Sequence, residues 1–113
     1  MAELTNLGAV IAHAIELEQM LQAIARAAGE LRLAEFSQQR EKELSRIRRE
    51  AISEMILEPL SGIESINLDG LSPSAAIERL AAFYRTAAAH MSIPDVARAL
   101  RRLSERTIYI GHK

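Results

Sequence analysis

Apolar side chains return every three or four residues through most of this chain, the spacing of one face of an α-helix. The first run, Leu7, Val10, Ile11, Ala14, Leu17, Leu21, Ile24, Ala25 and Ala28, predicts a helix over about 4–28. His13, Glu16, Gln19 and Gln22 fall towards its other side. Thr5 or Asn6 is placed to cap its start, and Gly29 to close it in the left-handed conformation. A second helix is expected over about 31–57. Its apolar line, Leu33, Phe36, Leu44, Ile47, Ala51 and Met55, is thinner, and Ser37 to Glu43 are polar on every side. That stretch is expected to project into solvent or to meet another subunit. Pro59 ends the run, because it has no N–H and crowds the preceding turn.

Residues 60–71 read as a connection closed by the turn signal Asp69-Gly70. Its Ile63, Ile66 and Leu68 predict a segment lying across the helices rather than hanging in solvent. A third helix is predicted over about 73–90, with Ser72 as cap and Pro73 at the first helical position. Ile77, Leu80, Ala81, Tyr84, Ala88 and Met91 line its face. A fourth begins near Ile93, with Val96, Leu100, Leu103 and Thr107 as its seam. The β-branched and aromatic tail Thr107-Ile108-Tyr109-Ile110-Gly111 is expected to leave the helix and dock as an extended segment. Two long helices, a crossing connection and two shorter helices predict a single all-α domain over 1–113, a four-helix bundle.

Composition sharpens this reading. With 113 residues, 49% of them apolar, the chain can fill one core and not two. Two Phe, two Tyr and no Trp leave the packing to aliphatic side chains, which suits close helices better than a sheet sandwich. There is no cysteine, so disulfides, thiolate metal ligands and thiol nucleophiles are excluded. Fourteen Lys plus Arg against fifteen Asp plus Glu provide no strong field for nucleic acid or an anionic membrane. No window is apolar enough for a membrane span, and the start Met1-Ala2-Glu3 carries no secretory signal, so a cytoplasmic location is expected.

Three segments carry a family likeness. Ala14 to Ala28, Ile77 to Ala88 and Leu100 to Arg106 resemble helices one, three and four of the rubrerythrin-like branch of the ferritin-like superfamily. Together they cover about a third of the chain. The resemblance implies a ferritin-like bundle with a carboxylate-bridged di-iron centre, built from single Glu residues on two helices and Glu-x-x-His units on the other two. By position the matching residues are Glu18 and Glu78, with Glu50 and Glu105 opening the two paired units. Glu50 is followed by Ser53 and Glu105 by Ile108, so both histidine positions are empty.

The candidate metal ligands are therefore Glu18, Glu50, Glu54 and Glu78. Glu18 and Glu54 share faces with apolar residues and could point inward, but each is expected as a boundary glutamate whose stem covers apolar surface while its head reaches water; Glu78 and Glu105 lie off their apolar faces. A carboxylate cluster of that kind needs a cation to offset its repulsion and desolvation. His13 reads as a surface residue, His90 as a cation at a helix C-terminus, and His112 as part of the tail. Arg40, Lys42, Arg46, Arg48 and Arg49, interrupted by Glu41, Glu43 and Glu50, read as a solvated, ion-paired face. Tyr84 and Phe83 read as core and boundary aromatics. No glycine-rich phosphate loop or catalytic triad order is present.

The leading expectation is a non-catalytic ferritin-like protein without a cofactor, acting as a homodimer or higher homo-oligomer or through a protein partner. One alternative is a carboxylate site for iron or another divalent metal, completed at a subunit interface. The other is a helical regulatory module that binds nucleic acid or a partner through the arginines of the second helix.

Overall fold

The computed structural model describes residues 2–111, with side chains described through Ile108. Five helices follow one another: α1 (Leu7–Ala27), α2 (Leu31–Glu50), the single turn α3 (Ser53–Ile56), α4 (Pro73–His90) and α5 (Pro94–Gly111). The long helices pair by proximity in sequence. α1 packs along α2, α4 along α5, and the two hairpins meet mainly through α1 against α4.

The boundaries have local causes. Asn6 caps α1, its Oδ1 accepting the Ala9 N–H at 2.8 Å. At the other end Gly29 takes φ 75°, and the chain folds back through two bonds, Gly29 N–H to Arg26 O and Glu30 N–H to Ala25 O. That bond pair satisfies carbonyls which a helix end otherwise leaves bare, and it turns α1 into α2 within three residues. Ser72 Oγ caps α4 by accepting the Ala75 N–H, with Pro73 in the first turn.

Three expectations about the elements are corrected. The second helix stops at Glu50 rather than near 57, and Ala51 and Ile52 are extended. α1 and α2 have 21 and 20 residues, so at about 1.5 Å per residue α2 runs out of α1 to pack upon. The chain instead turns, and α3 places Ile56 over the first turn of α1. Gly8 makes room for it: a Cβ there would lie 2.7 Å from Ile56 Cγ2. Residues 4–6 are not helical. Leu4, Ala2 and Thr5 exchange backbone hydrogen bonds with Ile63, Ser65 and Leu60, tying the N-terminal segment across the connection. The tail from Thr107 does not become extended, since α5 continues to Gly111.

Leu7, Val10, Ile11, Leu17 and Leu21 of α1 meet Leu80, Tyr84, Leu100 and Leu103 in a continuous core. Ile63 and Leu68 of the connection are buried in it, as their pattern predicted, with Ile66 partly buried against it; Leu60 is buried there as well. Among the described residues no helix is long and apolar enough to cross a membrane.

Candidate functional site

Among the described residues one carboxylate is buried. Glu18 lies on α1 between Leu17 and Leu21 and is 0% exposed. Three side chains donate to it. Ser37 Oγ, on α2, reaches Oε1 at 2.7 Å and also lies 2.9 Å from the Glu18 backbone oxygen. Arg40 Nε, one turn further along α2, reaches Oε2 at 2.9 Å. Tyr84 Oη, from α4, donates to the same Oε2 at 2.5 Å. The cluster thus joins three helices through one acid.

Its electrostatics follow from burial. An isolated carboxylate in such a place would carry a large desolvation cost. Arg40, itself 3% exposed, supplies the opposite charge, and the two hydroxyls add charge-assisted bonds. Burial, then the neighbouring Glu18 charge, holds the Tyr84 phenol well above its ordinary pKa, so it stays a donor. Arg40 Nη2 is buried with no partner among the described residues. Around this centre lie exposed or half-buried pairs. Gln19 and Gln22 both donate to Glu41, and Arg106 of α5 pairs with Glu43 at 2.7 Å.

Each Glu18 oxygen accepts from donors of the chain, Oε1 from Ser37 and Oε2 from Arg40 and Tyr84. The surface depressions at Gln38–Arg49 and at Gly62–Thr86 are lined by none of Glu18, Ser37, Arg40 or Tyr84. The other proposed ligands stand elsewhere. Glu50, Glu54 and Glu78 are all exposed, so the structure does not bring them to Glu18. Glu54 in particular does not point inward, because α2 has already ended and α3 turns it to solvent. Glu105 is exposed as expected. Among the described residues no three His, Asp or Glu side chains converge as metal ligands would. The surroundings of Glu18 do not fit a carboxylate-bridged metal pair: the position of the metal's charge is taken by a guanidinium.

Several side chains differ from their sequence expectation. Ser37 and Arg40 were expected on a solvated face and are buried. His13 is half-buried: its ring meets Phe83 edge-on at 5.4 Å, and Nε2 accepts the Ile66 N–H at 3.0 Å. Burial lowers its pKa below the ordinary imidazole value, against the opposing pull of Glu16 at 4.0 Å. His90 ends α4 as expected, and its ring lies over Gly62, where a Cβ would come within 2.7 Å. His112 lies outside the described residues. Lys42, Arg46, Arg48 and Arg49 are exposed.

The signal for Ser37 and Arg40 was present in the spacing. Residues 33, 37, 40 and 44 form a single helical stripe, with Leu33 and Leu44 at its ends. A serine and an arginine in the middle of an apolar stripe call for an internal acid, and Glu18 was the one available on a facing helix. No family model matches this chain, and no curated protein or solved structure matches it either.

Proposed function

We propose that this chain is a non-catalytic helical protein, ferritin-like in its four-helix layout, that acts by self-association or by binding a protein partner. The observation that carries the reading is the closure of Glu18 by Arg40, Ser37 and Tyr84. Both oxygens of this acid accept from side chains of the chain itself, and those bonds hold α1, α2 and α4 together. The four long helices in two packed hairpins support the bundle layout. What remains for interaction is the surface, where Leu31, Ile52 and Leu57 are each more than half exposed.

The test is native mass spectrometry with metal analysis on untagged protein purified without chelator. The expected result is a fully helical protein after exhaustive chelation, with native masses at multiples of the 12.5 kDa chain. A near-stoichiometric metal that disappears in Glu18→Gln would overturn the reading in favour of a carboxylate metal site.

A further inference from the structure

The connection between α3 and α4 rests on two apolar anchors, Ile63 and Leu68, both 0% exposed. Residues 64–67 between them are exposed or half-buried. Ser65 N–H donates to Ala2 O at 2.7 Å, which ties this strap to the N-terminal segment. Ile66 N–H donates to His13 Nε2 at 3.0 Å, which ties it to α1. The His13 ring also meets Phe83 of α4 edge-on. An imidazole nitrogen accepts only while it is bare. Protonation of Nε2 turns a second N–H towards the Ile66 N–H, so donor faces donor and the bond is lost. Charged groups surround the ring unevenly. On α1, Glu16 lies 4.0 Å from Nδ1. Glu3 of the N-terminal segment, Glu64 of the strap and Arg79 of α4 line the depression that Ile66 and Phe83 also line. Arg79 is committed to Asn67 O at 3.0 Å, and His90 lies further along α4, over Gly62. The carboxylates outnumber the guanidinium, so they favour a proton on His13 once the strap has moved.

We propose that His13 is a proton-operated latch: when neutral it holds residues 64–67 closed, and when protonated it releases them while the helices stay packed. The device is separate from the interaction role proposed above and does not depend on it. The anchors at Ile63 and Leu68 confine the movement to the strap. Release widens the depression beside it and uncovers Ile66 and Phe83 to solvent. Burial under the closed strap disfavours the charged ring, so the folded pKa lies below that of a free imidazole. The bond is therefore complete above about pH 6.5 and is lost as pH falls through the depressed folded value. Local opening of this kind leaves the rest of the fold intact, because its free energy is smaller than that of global unfolding.

Amide hydrogen exchange read by NMR between pH 7.5 and 5 tests this. Each rate is divided by that of an unprotected chain at the same pH, and the His13 ring is followed by its carbon-bound proton shifts. In wild type, protection at Ser65 and Ile66 falls by up to about tenfold per pH unit below about pH 6.5. The amides of Leu17 and Leu80, in the core of α1 and α4, keep theirs. His13→Gln, whose amide oxygen can still accept, holds Ile66 protected at every pH. His13→Ala leaves it weakly protected at every pH. Wild-type protection that stays constant while His13 titrates overturns the latch, and so does an equally steep loss in His13→Gln. A pH response abolished by His90→Gln instead assigns the effect to the wrong histidine and overturns it too. Loss at Leu17 and Leu80 in step with Ile66 would mean that the whole fold yields, which overturns local release.

Discussion

Replacing Arg40 by methionine removes the cation bonded to Glu18 and leaves an aliphatic stem of similar length. The carboxylate then lies at 0% exposure with two hydroxyl donors and no opposing charge. Breaking a buried pair from one side costs about 3–5 kcal/mol, because the remaining charge stays desolvated. Ser37 and Tyr84 keep their bonds, which places Arg40→Met near the lower end of that range. Small domains have a total stability of about 5–15 kcal/mol, so the loss is a large share of it. Glu18→Leu alone strands Arg40 instead and costs a similar amount. The double variant Glu18→Leu/Arg40→Met removes both charges. Ser37 can still donate to the backbone oxygen of residue 18, at 2.9 Å in the native chain. The main remaining deficit is an orphaned Tyr84 hydroxyl, about 1–3 kcal/mol. The double variant is therefore more stable than either single one. Urea unfolding followed by far-ultraviolet circular dichroism at pH 7 measures all four proteins, and the cycle isolates the coupling. Additive losses, or an Arg40→Met cost below about 1 kcal/mol, would refute the argument that Glu18 is held as a buried ion.

Three further outcomes follow from the same structure. Tyr84→Phe deletes one bond to a charged acceptor and lowers stability by about 1.5–3 kcal/mol in urea; an unchanged midpoint would show that the bond is not made. His13 must be neutral to accept the Ile66 N–H, and its folded pKa lies below the unfolded value. Its contribution is thus complete above about pH 6.5 and is lost as pH falls through the depressed folded value. Urea midpoints between pH 7.5 and 5 should fall in wild type and flatten in His13→Gln, whose amide oxygen can still accept; parallel slopes would contradict this. Gly8→Val forces Ile56 away from α1 and costs about 1–3 kcal/mol, with amide exchange at 53–57 accelerated; unchanged exchange there would remove α3's dependence on Gly8.

The periodicity of apolar residues determined the helical class, the extent of α4 and most of α1 and α5, and the burial of Ile63 and Leu68. Those features depend on which side chains avoid water and on local caps such as Asn6, Gly29 and Ser72, both of which are properties of short stretches. That Glu18 could turn inward was legible for the same reason, since it shares a stripe with Leu21 and Ala25, but its full burial departs from the boundary position expected of it. The stripe Leu33, Ser37, Arg40 and Leu44 sets Arg40 apart from Arg46 and Arg48, but its pairing with Glu18 was not legible, because spacing along one helix does not say which residue of another helix it meets. The register of the hairpin brings Ser37 and Arg40 to Glu18, and the approach of α4 adds Tyr84. The break at Ala51 is likewise tertiary. The residues around it are acceptable in a helix, but α1 ends beneath them, and burial of Ile56 on Gly8 outweighs continued hydrogen bonding in solvent. Local chemistry thus decided what forms and which face turns inward. The relative placement of helices decided whether a buried acid meets a metal, a substrate or, as here, an arginine.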